Sequence, residues 1–491
     1  MAGPSYADAI ARHAADPGSP PALVLPDRIV GYAEFAADVD ACAAWLAARG
    51  CGPDGVVGVC VGDEVLHLVV TLALLAIGAP QVVLPTHEPP AAREELARRL
   101  AVRTLVVGET SDALPDRAYA EVSAAVLARE RRRKASVRPG SRAGALVYYA
   151  SSGTTGRPKI YSLTEDALIW RVARARETEA MGPGSRILAL SSVEHSPSRH
   201  KRMFALHAGL TSVFVPESGA MRTGLAGACA EHGVTNVELN TLQVASLLAE
   251  EGGAAAVLPP QTSVYVAGSR VPAQMRRTFR SQHGRPLYVH YGAREIGRIA
   301  FNWPDGGDDE LETLGPPVRW MDVEIVDAEG VPVPRGEVGE IRLRSDHLAC
   351  GYLDDPQATA RAYRDGWFHP GDLVSLTGAG ELRLHGRVDE RMNLNSIKIY
   401  PSEIEQVIEA LPGVRAAAAF AQPSPVHGDI PMVAVETLPG TTVDPEALLE
   451  AARERLGLRA PRRIVVVETL PRNSAGKILR TEVARMLAGG R

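Results

Sequence analysis

Residues 56–107 alternate between two kinds of segment. Residues 56–61 are small and β-branched, 66–77 are Ala/Leu-rich and of helical length, and 81–84 return to a short apolar run. Residues 91–100 then carry charge on one face, and 104–107 are apolar again. Short strands that are apolar throughout must be covered on both faces, and helix-length crossovers set their neighbours parallel. The rhythm therefore predicts a largely parallel sheet flanked by helices. It recurs at 186–190, 211–215, 263–266 and 286–290. The segment 68–79 is the best membrane candidate, but its roughly 12 residues fall short of the ~20 that a membrane helix needs. It reads as a buried helix.

The texture changes twice further on. Beyond about 315, short strands at 323–326, 339–343 and 381–384 are separated by turns such as Pro334-Arg335-Gly336, which reads as antiparallel or barrel-like structure. From about 389 a helix at 402–410 begins with Pro-Ser and acidic residues, and strands follow at 414–421, 432–436 and 463–467. Residues 130–134 read as an exposed charged link. The chain of 491 residues is long enough for about three domains.

Charge and cysteine content narrow the function classes. Lys plus Arg number 53 and Asp plus Glu 58, a net charge of −5, which argues against a nucleic-acid-coating surface. Cys42, Cys51, Cys60, Cys229 and Cys350 have no metal-like spacing and suggest free thiols in a reducing compartment. Residues 1–18 lack the basic and apolar stretches of a signal peptide. A cytoplasmic enzyme is expected, with neither nucleic acid nor membrane as partner.

The richest motif is Ser151-Ser152-Gly153-Thr154-Thr155-Gly156-Arg157-Pro158-Lys159, directly after the apolar run 145–150. Small hydroxyl and glycine residues let a backbone approach phosphates closely. Their N–H and O–H groups donate hydrogen bonds there, and Lys159 adds a point charge. The string is not GxxxxGK[ST], so a P-loop ATPase or kinase is disfavoured.

That string resembles the phosphate loop of the adenylate-forming, or AMP-binding, enzymes: acyl- and aryl-CoA synthetases, nonribosomal adenylation domains and luciferases. Four further motifs follow in order. Tyr291-Gly292-Ala293-Arg294-Glu295 resembles YGxTE, Gly366 to Asp372 (GWFHPGD) resembles W[FY]xTGD, and Gly386-Arg387-Val388-Asp389 resembles GRxD. Pro471-Arg472-Asn473-Ser474-Ala475-Gly476-Lys477 resembles the segment with the catalytic lysine. The resemblance implies an α/β fold. A large N-terminal domain (1–388) of stacked α/β subdomains would include a small barrel-like β region. A small mobile α+β C-terminal domain (389–491) would hinge at Asp389.

The resemblance also implies roles. Ser151 to Gly156, Lys159, Gly268, Tyr291, Gly292, Asp372 and Arg387 would bind ATP or AMP, with Tyr291 on adenine and Asp372 on the ribose. Glu295 and Thr155 would hold Mg²⁺. Lys477, Glu295 and Arg294 would be catalytic, and His195, Arg199, Asn240, Ser269 and Arg270 would line the substrate pocket. ATP and Mg²⁺ are implied as cofactors, with CoA or a carrier protein's phosphopantetheine as acceptor. The partners implied are a small anionic substrate and an acyl carrier protein, for a monomer or homodimer.

The departures from the family pattern are specific. Arg294 replaces the usual threonine, and Asn393 and Asn473 are polar exchanges. Ser396 stands at the usual glycine beside the pantetheine tunnel, where a side chain narrows the passage. Arg199-His200-Lys201-Arg202 reads either as a solvated basic turn or as an anion-attracting site. His195, His200 and His207 are spaced five and seven apart, which does not put them on one helix face as a metal site. The expected reaction is activation of a small aryl or acyl carboxylate as its adenylate, then transfer to a thiol. Two alternatives stay open: activation of nitrite for transfer to an aryl amine in secondary metabolism, as in a diazotase, and a non-catalytic nucleotide-binding relative.

Overall fold

A computed structural model describes residues 3–115, 117–133, 146–151, 158–179, 181–215, 224–248, 258–302, 312–395, 397–473 and 476–488. They form two compact units. The first comprises Met1–Leu239, Gly252–Val264 and Asp346–Thr359, and the second Asn240–Glu251, Tyr265–Ser345 and Ala360–Arg491.

In the first unit the alternating rhythm becomes a six-stranded sheet. Its order is Ala118–Glu121, Thr104–Val107, Val57–Cys60, Gln81–Val83, Leu146–Ser151 and Lys159–Thr164. Only the last pair is antiparallel. Asn236–Leu239, Arg186–Ala189, Thr211–Val213 and Leu23–Val24 run parallel in that order, and Ile29–Val30 closes the row antiparallel. The helix Glu64–Ala76 starts where the Asp63 carboxylate accepts the N–H groups of Val65 and Leu66 at 3.0 and 2.8 Å. Residues 67–75 of that helix are buried, as expected for the apolar segment. No helix among the described residues is long and apolar enough to cross a membrane.

One local expectation fails here. Residues 130–133 are the last turn of the helix Ala124–Arg133 rather than a link, although residues 131–133 are exposed as expected. Glu130 is buried and accepts from Arg129 and Arg133, at 3.2 and 3.1 Å. All five cysteines are free, and only Cys350 is exposed.

In the second unit residues 265–267 lie parallel to Tyr288–Ala293, which turns back antiparallel onto Gly297–Phe301. Beyond residue 315 every strand pair up to 387 is antiparallel. Gly339–Arg344 lies between Asp322–Val326 and Asp372–Leu376, and Leu382–Arg387 pairs with the latter. A short helical turn, Val388–Glu390, precedes a further sheet. That sheet runs Ile397–Ile399, Met392–Leu394, Gly428–Thr437, Val414–Ser424, and Arg463–Val467 pairs parallel with Gly428–Thr437. Helices Pro401–Glu409 and Pro445–Leu456 bury Ile404, Ile408, Leu448 and Leu449 against Val433, Val435 and Ile464. The 388/389 division falls inside this unit, and the residues after it have a core of their own.

Candidate active site

The densest cluster of expected site residues lies in the second unit. Tyr288–Ala293 and Gly297–Phe301 approach so closely that a Cβ on Gly292 would sit 2.4 Å from the Gly297 carbonyl oxygen. Only glycine fits there. The register shifts between Tyr291 and Gly292, and such irregularities re-aim a side chain. The Tyr291 phenol donates to Asp372 Oδ2 at 2.6 Å. Asp372 opens its strand and sits directly across from Arg387. Arg387 donates through Nη1 to Asp372 Oδ1 and to the Pro370 carbonyl, both at 3.1 Å, and through Nε to Asp389 at 3.0 Å.

Both oxygens of Asp372 are thus engaged, one by a neutral donor and one by a cation. Burial pushes the Asp372 carboxyl above its ordinary value, although Arg387, the Tyr291 hydroxyl and Lys477 all pull the other way. Burial also disfavours the Arg387 cation, but Asp372, Asp389 and Glu390 outweigh it and hold the proton more firmly. The Tyr291 hydroxyl is pushed well up, first by burial and then by Asp372.

Lys477 lies near enough for its charge to act on Asp372. Its loop is self-braced: the Lys477 N–H donates to Asn473 Oδ1 at 2.9 Å, and the Asn473 N–H donates back to the Lys477 carbonyl at 3.0 Å. Gly476, at φ +80°, packs against residues 240–242; a Cβ there would meet Leu242 Cβ at 3.0 Å and Asn240 Oδ1 at 3.5 Å. Asn240 caps the helix Thr241–Leu248, accepting the Gln243 N–H at 2.8 Å. The hydroxyls of Thr241 and Ser269 bond at 2.7 Å beside Gly268, whose φ is +96°. Lys477, Asn240 and Ser269 therefore belong to one neighbourhood. Arg294 and Glu295 occupy the turn after Ala293, the arginine exposed and the carboxylate half-buried.

Two expected substrate contacts are corrected. Arg270 does not present a spare cation to a substrate. Its Nε and Nη2 donate to both oxygens of Glu312 at 2.6 and 2.7 Å, and its Nη1 donates to Glu409 at 2.6 Å. Two carboxylates already neutralise it. Arg199, in the first unit, is neither in a solvated turn nor open to an anion. Residues 196–208 form a helix, and Arg199 is 2% exposed. Its Nη1 donates to the carbonyls of Val193 and Glu194 at 2.9 and 3.2 Å, and its guanidinium lies 5.8 Å from the Tyr149 ring. The rest of the basic run is likewise engaged. Lys201 pairs with Glu179 at 2.5 Å and with Glu238 at 3.2 Å. Arg202 donates to Ser212 and to the carbonyls of Val213 and Ala189; burial pushes it down to about 10.

His195 stands just before this helix, its ring 5.1 Å from that of His87. Sequence reasoning gave Glu194 no role. Its carboxylate accepts the Thr86 N–H and hydroxyl at 2.6 and 3.1 Å and pairs with His87 at 3.0 Å, which orders the turn beside His195. An acid next to a singled-out histidine was the only local hint. Ser151 ends its strand opposite Lys159, whose ammonium lies 5.0 Å from the Tyr352 ring. Arg99 donates to the Pro158 carbonyl at 2.7 Å and grips both oxygens of Asp354. Ser152, Gly153, Thr154, Thr155, Gly156 and Ser396 lie outside the described residues.

A sequence profile described as AMP-binding enzyme matches residues 10–353. The chain belongs to the AMP-binding enzyme family. A second profile, for the C-terminal domain of AMP-binding enzymes, matches residues 403–477. YdaB of Bacillus subtilis, named as an acyl-CoA ligase, is 27% identical to this AMP-binding enzyme over 67% of the chain and 65% of YdaB. The alignment thus spans less than two thirds of that relative. A salicylyl-CoA synthase / salicylate adenylyltransferase from a Streptomyces species is 28% identical, with 96% of this chain and 92% of that protein covered. The solved anthranilate CoA ligase AuaEII, in complex with anthranoyl-AMP, shares the fold at TM-score 0.87 and 20% identity, covering 100% of this chain and 99% of that one.

Proposed function

We propose that this AMP-binding enzyme is an ATP-dependent ligase. It activates a small aryl or acyl carboxylate as its adenylate, releases pyrophosphate, and passes the acyl group to a thiol of CoA or of a carrier protein's phosphopantetheine. The observation that carries the reading is the Asp372 constellation: the Tyr291 hydroxyl and the Arg387 guanidinium both bond to one half-buried carboxylate, and Lys477 lies near enough for its charge to act on it, at the positions the family motifs assign to nucleotide binding and catalysis.

The roles follow from charge. Attack of a carboxylate on the α-phosphate builds negative charge on phosphate oxygens, and Lys477 supplies a cation where it develops. Asp372 accepts hydrogen bonds from the ribose, held in place by Tyr291 and Arg387. Phosphate binding falls to the motif 151–156 by its composition and family match, with Lys159 adding a cation. Among the described residues no three acidic or histidine groups gather to hold a metal by themselves. Glu295, with Thr155, suits Mg²⁺, which takes one or two carboxylates and completes its shell with phosphate and water oxygens. When bound, the ion neutralises phosphate charge. Residues 389–491 act as a mobile domain that turns about Asp389 between the two half-reactions.

The nitrite alternative drew on the extra arginines near the substrate and on Ser396, which is expected to narrow the CoA passage. Arg199, Lys201, Arg202 and Arg270 each bond to carboxylates or carbonyls within the fold, and Arg294 is exposed. A pyrophosphate-exchange screen over aryl acids, short acyl acids and nitrite tests the proposal. Exchange with a carboxylate, followed by thioester formation with CoA or a phosphopantetheine-bearing carrier, is the expected result. Exchange with nitrite alone overturns it.

A further inference from the structure

The loop that carries Lys477 is held at both ends by buried carboxylates, Glu436 outside every motif and Glu405 at the end of the Pro401–Glu405 string that resembles the family's helix start after the hinge. Upstream, Glu436 lies on the strand Gly428–Thr437 and is 1% exposed. Its Oε2 accepts the Leu470 N–H at 2.9 Å and Arg472 Nη1 at 2.7 Å, and its Oε1 pairs with Arg415 at 3.1 Å. Arg472 also donates to the Leu470 carbonyl at 3.0 Å and forms an antiparallel bridge with Ile478. Downstream, Arg480 donates to both oxygens of Glu405 at 2.9 and 2.8 Å and to Glu390 at 2.8 Å. Glu405 also accepts the Ala419 N–H at 3.0 Å. Each end is therefore fixed to the sheet by a charge-assisted bond plus a backbone N–H.

We propose that Glu436 and Glu405, through Arg472 and Arg480, are positioning residues that set where Lys477 presents its ammonium. The inference rests on Lys477 being the adenylation lysine. A lysine side chain has four rotatable bonds and little preference of its own, so its placement comes from the loop. A carboxylate replaced by an amide keeps the backbone contact but loses the charged pair. The loop then moves by fractions of an ångström, which is enough to slow a step that depends on alignment.

The test uses the full-length Glu436→Gln and Arg472→Gln variants, with Lys477→Ala alongside. Arg472→Gln is the safer fold, because it leaves Glu436 paired with Arg415. Two rates are measured with the carboxylic acid that gives the fastest pyrophosphate exchange: that exchange, and consumption of its synthetic acyl-adenylate by a thiol. We expect exchange to fall roughly ten- to a hundredfold in both variants. KM for ATP should change little, and adenylate consumption should stay within about twofold. Equal loss in both half-reactions, or full exchange in both variants, overturns the inference. Unchanged exchange in Lys477→Ala would instead overturn the functional reading beneath it.

Discussion

Two regions of this chain that contain basic side chains use their charge in opposite ways. In the helix Ser196–Ala208 the basic side chains are buried, and their donors end on backbone carbonyls and acids of the same unit. Around Asp372 one carboxylate holds the Arg387 cation and a tyrosine hydroxyl, and half-buried Lys477 lies near enough for its charge to act on it. The first arrangement consumes charge to satisfy polar backbone in a core. The second gathers charge where a ligand's hydroxyls and phosphates would complete it. Counting arginines does not distinguish the two; the partners do.

The sharpest way to break this contrast is Asp372→Asn. The amide offers one acceptor oxygen where two are used, and it leaves Arg387 with less neutralisation. Pyrophosphate exchange is expected to fall about 10³-fold, with the melting temperature nearly unchanged. A variant that kept its exchange rate would remove the second region's claim to function.

Arg270→Gln probes a cation that sequence placed in the pocket and the fold placed in a pair. Leaving Glu312 and Glu409 buried without it is expected to cost about 3 kcal/mol in denaturant unfolding. The pH dependence carries a sign. Burial raises the Glu312 carboxyl, but Arg270 outweighs that and holds it below its ordinary value. Its contribution is therefore complete above the unfolded value and lost as pH falls through the lower folded one. The penalty of the variant should be largest near neutrality and shrink below about pH 4.3, the ordinary glutamate value. A penalty that grew on acidification would contradict the pairing.

Arg199→Met sharpens the same contrast from the other side. It leaves the Val193 and Glu194 carbonyls without a donor and is expected to cost about 2 kcal/mol of stability. Exchange per folded molecule should remain within about threefold of the parent enzyme. A selective loss of exchange with stability intact would return Arg199 to the substrate pocket.

Much of the fold was legible because it follows local rules. The apolar run 104–107 became the strand Thr104–Val107, the Pro-Ser start near 402 became the helix Pro401–Glu409, and 463–467 became Arg463–Val467. The basic run was misjudged because a single sequence does not show burial. Yet Ser196 and Pro197 before residues 203–206 already carried a helix-start signal. Tyr291, Asp372, Arg387 and Lys477 were legible through ordered motifs. Glu436 and Arg480 were not, and Glu405 was legible only as part of the Pro401–Glu405 helix start, because the charged partners lie 34 or more residues apart. Arg270 was misassigned for the same reason: Glu312 and Glu409 lie 42 and 139 residues distant.

The most direct test of the central claim is a single-turnover comparison of the two half-reactions in Lys477→Ala. Adenylate formation from ATP and the carboxylic acid is expected to fall by about 10²–10³-fold, while the variant still consumes supplied acyl-adenylate and thiol at close to the parent rate. Adenylate formation at the parent rate would contradict it.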